Sequence, residues 1–118
     1  MFSIVCDSVC DFPSSIYREV KVVHAKVIVK DRAYREKDEI RCGDVINWLK
    51  RGEDLKTAAS SAKDFLEVFR ACREPILCIT ISKKMSTIYN AAKIAANLAG
   101  KEIHVIDSET ASIGAGML

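Results

Sequence analysis

The apolar positions of this chain change their period as it proceeds, and each change predicts a different element. Ser3–Cys6 is a short apolar run closed by Asp7-Ser8, which predicts a strand entering a loop; Pro13 with Ser14-Ser15 then opens a short helix to about Glu19. Lys21–Lys30 is β-branched and alternating, with Val23, Ala25, Val27 and Val29 on one face, and Asp31-Arg32 fits a turn into Ala33-Tyr34-Arg35, predicting a hairpin. Asp44 predicts the start of a helix holding Val45, Ile46, Trp48 and Leu49 that ends near Arg51-Gly52, and Gly52–Lys56 reads as a polar connection. Ser61-Ala62-Lys63-Asp64 approximates a capping box before Phe65, Val68, Phe69 and Cys72, which fall on one face of a helix. Glu74-Pro75 breaks that helix and Ile76–Ile81 predicts a buried strand. Ile88, Ala91, Ala92, Ala95, Leu98 and Ala99 then stripe a further helix that Gly100 ends. Ile103–Ile106 predicts the last strand, and Gly114–Leu118 reads as a helix beginning where the chain stops, so a truncated chain is expected.

Strands separated by helices of about ten residues predict βαβ units, because parallel neighbours need a crossover. The expected fold class is α/β: three layers, α/β/α, around a mainly parallel sheet. Ligands of such sheets lie beyond the carboxyl ends of the strands. At those ends the reading places Asp7-Ser8, Thr57 with Ser60-Ser61, Ser82 with Ser86, and Asp107-Ser108. The most informative stretch is Ile81–Ala92, where an apolar strand runs through a Lys/Ser loop into an Ala-rich helix and leaves the Ser86 hydroxyl at the helix mouth. Hydroxyls and helix N–H groups together can hold a carboxylate or phosphate. Each of these residues alone is also a good helix N-cap, so the cluster is more informative than its members.

Composition narrows the function classes. At 118 residues the chain is expected to be one domain, and its 49% hydrophobic content is ordinary for globular chains. A net charge of +2 comes from interleaved charges without a basic block, which argues against nucleic-acid binding. The start of the chain lacks a signal-peptide pattern and no run approaches the length of a membrane span, so a soluble, cytoplasmic protein is expected. The five cysteines, Cys6, Cys10, Cys42, Cys72 and Cys78, show no paired C-x-x-C spacing, and no metal or cofactor is expected. Cys10 is singled out because a thiolate in the loop after the first strand could be stabilised by a helix N-terminus; a bystander in a turn is the alternative. His24 and His104 lie in apolar strands without a visible partner, Tyr89 fits either the core or a lid, and the mixed charges from Arg32 to Glu39 read as a solvated hairpin and loop.

Four ordered segments resemble one family. Asp7-Ser-Val-Cys-Asp-Phe-Pro13 is similar to the D-S-x-x-D-[LF]-P opening of DegV-family proteins, and Thr57-Ala-Ala-Ser-Ser-Ala-Lys-Asp-Phe65 to their T-S-Q-P-S-x-x-x-F segment. Ile81–Ala92 resembles I-S-S-K-L-S-G-T-Y-x-S-A, and Val105–Ser112 resembles V-I-D-S-x-x-A-S. The resemblance covers the chain but only the amino-terminal domain of a two-domain family, and it implies a missing carboxy-terminal domain. It further implies a non-enzymatic carrier that holds a long-chain fatty acid and presents it to a fatty-acid kinase. By position, Thr57 and Ser86 match the carboxyl-binding hydroxyls, Ser61 the second serine of its segment, and Asp7 and Ser8 the strand-end pair. Thr87 stands where the pattern has glycine, and Ala58-Ala59-Ser60 where it has Ser-Gln-Pro. The rival expectation is a phosphoryl-transfer enzyme, with Asp7 as phosphoryl acceptor or magnesium ligand and Thr57 or Ser86 holding the phosphate. Against it, the chain lacks D-x-D, P-loop and nucleophile-elbow spacings.

Overall fold

The computed structural model describes residues 2–11 and 19–112. The described residues form two sheets. The first is parallel: β1 (Ser3–Asp7), β2 (Val20–Val23), β6 (Ile76–Thr80) and β7 (Ile103–Asp107) lie in the order β2-β1-β6-β7. The second is antiparallel: β3 (Lys26–Val29), β4 (Arg32–Arg35) and β5 (Leu55–Ala58) lie in the order β4-β3-β5. The chain is therefore of the α/β class, with a four-stranded parallel sheet flanked by helices.

The alternation expected across Lys21–Lys30 holds, since Val23, Ala25, Val27 and Val29 are all buried, yet the run is two strands. The break at His24-Ala25 sends one half to each sheet. Alternation reports which side of a strand is buried, not which partner buries it. Residues expected to be polar connection up to Lys56 instead lead directly into β5, where Leu55, Lys56, Thr57 and Ala58 pair with Val29, Ile28, Val27 and Lys26. A four-residue strand whose two apolar residues, Leu55 and Ala58, point to opposite faces carries almost no period of its own.

The main core lies where α2 (Ala62–Ala71) and α3 (Ile88–Ala99) pack against each other and onto one face of the parallel sheet, burying Phe65, Phe69, Ile88, Ala92 and Ala95 with Val5, Val23, Ile76 and Cys78. Phe65 and Phe69, one helical turn apart, stack at 5.8 Å between ring centroids. The capping box read at Ser61 is present: the Asp64 amide donates to the Ser61 hydroxyl at 3.2 Å and the Ser61 amide donates to the Asp64 carboxylate at 2.8 Å. Helix α1 (Cys42–Lys50) begins two residues before Asp44, the start expected from the sequence, with Arg41 at the N-cap; Asp44 acts from within the first turn, its carboxylate accepting the Arg41 amide at 2.9 Å. Gly100, at φ 66°, closes α3 in the left-handed conformation that glycine adopts without strain. Leu98, expected on the inward stripe of α3, is 63% exposed instead. At about 3.6 residues per turn Leu98 falls at the margin of the face centred on the buried Ile88, Ala92 and Ala95.

A second, separate core holds the antiparallel sheet against α1, with Val27, Val29 and Ile40 buried beside Tyr34, Val45, Trp48 and Leu55. The helices expected near Pro13 and Gly114 lie outside the described residues, apart from Glu19, which is in a turn. No helix among the described residues is long and apolar enough to cross a membrane.

Candidate functional site

The strand order reverses direction between β1 and β6, since β2 lies on one side of β1 and the later strands on the other. Such a switch point opens a crevice at the carboxyl ends of the two strands. Asp7 spans it. One carboxylate oxygen accepts the Val9 and Cys10 amides at 2.8 and 3.2 Å, and the other accepts the Ile81 amide at 2.8 Å across the crevice from the end of β6. The side chain has no solvent exposure, and burial pushes its carboxyl above the usual range despite these three donors.

Ser8 is likewise committed. Its hydroxyl oxygen accepts the Ala25 amide at 2.8 Å, at the joint where the chain passes from β2 to β3. Its amide donates to the Val23 carbonyl at 3.0 Å and its carbonyl accepts the Lys37 ammonium at 2.7 Å. Both Asp7 carboxylate oxygens are thus taken up by backbone amides and the Ser8 hydroxyl oxygen by another, and an aspartate so enclosed is poorly placed to accept a phosphoryl group.

The other predicted residues sit differently. Ser86 is half-buried just before α3, its oxygen accepting the Ile88 amide at 3.3 Å, which leaves its own O–H to donate. Ser61 is an exposed N-cap whose oxygen serves α2. Thr57 is exposed, and it lies within β5 of the antiparallel sheet rather than at the end of a parallel strand. Its register partner is Val27, so both side chains lie on the sheet face that α1 covers. The chain therefore carries Thr57 on the antiparallel sheet and Ser86 in the loop that joins β6 of the parallel sheet to α3. Neighbouring Ser60, fully buried, donates to the Val23 carbonyl at 3.4 Å.

Cys10 is buried, with its thiol 3.9 Å from the Ile79 carbonyl. A hydrogen bond with the Cys6 thiol, burial and the neighbouring Asp7 charge all push the Cys10 thiol far up, which removes the reactive-thiolate reading. Burial also raises Cys78. Among the described residues no group of histidine, cysteine, aspartate and glutamate side chains is arranged to hold a metal ion. His24 places Nδ1 2.7 Å from the Glu36 carbonyl, and exposed His104 lies beside Glu102. Half-buried Tyr89 is covered by the Lys83 ammonium, 5.7 Å from its ring centre.

The sequence reading missed Lys37. From the loop after β4 it reaches both the Ser8 carbonyl and the Asp11 carboxylate, whose second oxygen accepts the Ser112 hydroxyl. These partners hold the Asp11 carboxyl below its usual range, Lys37 contributing most. Lys37 sits inside a mixed charge run, where nothing in spacing or period marks it. Two clefts open nearby: one of about 250 Å³ lined by Val27, Ile40, Val45 and the residues Glu36, Lys37, Arg41 and Cys42, and one of about 280 Å³ that Ser8, Cys10, His24 and Lys37 help to line. Thr57, Ser61 and Ser86 line neither.

A family model described as uncharacterised protein, DegV family, matches residues 1–118. The chain belongs to the DegV family. It is 29% identical over 122 residues to a DegV domain-containing protein of Caldanaerobacter subterraneus subsp. tengcongensis, covering 98% of this chain and 44% of that one. The fold is similar, at a TM-score of 0.87 and 29% identity, to a DegV family protein from Thermus thermophilus described for its fatty acid binding, over 98% of this chain and 44% of that one. It is also similar, at a TM-score of 0.79 and 25% identity, to the fatty acid kinase B3 protein of Streptococcus pneumoniae loaded with linoleic acid, over 95% of this chain and 43% of that one. The chain thus spans less than half the length of these DegV relatives.

Proposed function

We propose that this chain is the amino-terminal part of a fatty-acid carrier, in which Thr57 and Ser86 donate hydrogen bonds to the carboxyl group of a long-chain acid. The observation that carries the reading is the division among the predicted hydroxyls and acids. Asp7 and Ser8 are buried and committed to backbone groups, whereas Thr57 and Ser86 keep hydroxyls at or near the surface. Two O–H donors on one carboxyl oxygen leave the other oxygen open, which suits a carrier that presents its cargo to a kinase. Ser61, spent as a helix cap, supports the loop after β5. DegV relatives described as binding fatty acids support the cargo class. The carboxy-terminal domain that the family pattern implies would complete the acyl site.

Native mass spectrometry of the purified chain with a panel of saturated and unsaturated fatty acids tests this, comparing wild type with Ser86→Ala and Thr57→Ala. Stoichiometric binding weakened by both substitutions is the expected result. Binding indifferent to both would overturn the carboxyl assignment and point to adsorption on an apolar face.

A further inference from the structure

The two sheets are separate bodies in their packing. The core of the parallel sheet and the core of the antiparallel sheet share no residue among those described. The chain passes between them at His24-Ala25 and again through 59–61, and polar contacts bridge the two bodies. Ser8 accepts the Ala25 amide, two residues before Val27, the register partner of Thr57. Lys26 on β3 pairs with Asp64 on α2 at 3.6 Å, both partly exposed. Lys37, fixed to the end of β4 by the Glu36 amide donating to the Ala25 carbonyl at 2.9 Å, reaches across to Ser8 and Asp11. Asp11 in turn holds Ser112, in the segment that follows β7, through the Ser112 hydroxyl and through its own amide, which donates to the Ser112 carbonyl at 3.0 Å.

We propose that the chain of contacts from Lys37 through Asp11 to Ser112 is a tie that positions the antiparallel sheet, and with it Thr57, against the parallel sheet, from whose β6 the chain runs to Ser86. The proposal rests on the carrier reading for its functional consequence, while the tie itself is a property of the unliganded protein. Lys37 is a positioning residue. An ammonium shared between a carbonyl and a carboxylate makes two charge-assisted hydrogen bonds, stronger than neutral ones, and the carboxylate is oriented by a second donor. A hydroxyl pair that must meet one carboxyl group loses its joint action when one arm drifts by a fraction of a bond length.

Amide residual dipolar couplings of the full chain measure the tie without a ligand. In wild type and in Lys37→Arg, one alignment tensor should fit the amides of both sheets. In Lys37→Met, the antiparallel sheet should need its own tensor of smaller magnitude. Asp11→Asn serves as a second variant if Lys37→Met does not fold, and should act in the same direction. A single tensor of unchanged magnitude in the variant that folds would overturn the proposal. Affinity for a C16 to C18 fatty acid against the matching alcohol gives the functional arm. Lys37→Met should weaken the acid about five- to tenfold and hardly move the alcohol, with rescue by Lys37→Arg. Loosened sheets with unchanged acid affinity would overturn the positioning role. If Thr57→Ala and Ser86→Ala leave the acid unaffected, the carrier reading fails instead, and the couplings alone judge the tie.

Discussion

Asp7→Asn nearly preserves the shape of a fully buried side chain and removes one of its two acceptors. In the native chain one carboxylate oxygen accepts Val9 and Cys10, and the other accepts Ile81 at 2.8 Å. The asparagine carbonyl can replace the first, but its NH2 group then meets the Ile81 amide donor to donor. Ile81 is 5% exposed, so water cannot easily take over, and an orphaned buried donor costs about 1–3 kcal/mol. Relief of a buried charge offsets part of this, leaving an expected loss of about 2 kcal/mol at neutral pH. Asp7→Ala should lose about 1 kcal/mol more, since Val9 also loses its acceptor while the Cys10 amide keeps the Asp7 carbonyl at 3.2 Å.

Urea unfolding followed by circular dichroism at several values between about pH 4 and pH 8 measures this. The sign of the pH dependence follows from the raised Asp7 carboxyl. A group whose pKa is raised in the fold contributes stability that is present below its ordinary value and is lost as pH rises through the raised one. The advantage of wild type over Asp7→Asn should therefore shrink as pH rises. An Asp7→Asn chain as stable as wild type at pH 7 would refute the strut across the crevice, and an advantage growing with pH would refute the argument from burial.

Other substitutions probe the elements that carry the site. Phe65→Ala removes a ring with no exposure from between α2 and the parallel sheet and should cost about 3–5 kcal/mol by denaturant melting, with the slope unchanged. Ser61→Ala deletes the cap of α2 and should cost about 1 kcal/mol in the same assay. Gly100→Ala places a Cβ at φ 66° and should cost about 1 kcal/mol, strain rather than collision being the cause because nothing lies within 4 Å of the new atom. Asp11, whose carboxyl is lowered, should contribute stability above the ordinary carboxylate range that fades as pH falls through the lowered value. In Asp11→Asn that part of the acid limb should vanish, a small effect because the pair is partly exposed.

Local information in the chain determined the helices and most of the strands. The capping box at Ser61, the apolar face of Phe65 and Phe69, and the left-handed stop at Gly100 act within one or two turns, so they can be read from neighbouring residues. The four DegV-like segments likewise pointed to the family that the comparisons establish. Tertiary structure alone decided which sheet each strand joins. Val23 and Val27 belong to one alternating run, yet the break at His24-Ala25 assigns them to different cores, because pairing partners are distant in sequence. It also separated predicted polar residues that looked equivalent: Ser8 and Asp7 became internal struts, while Thr57 kept an exposed hydroxyl on the antiparallel sheet and Ser86 a half-buried one before α3. Lys37 shows the limit most sharply. In the chain it is one charge among several, and only folding brings it 2.7 Å from the Ser8 carbonyl and against Asp11, because a long side chain acquires its meaning from what lies at its far end.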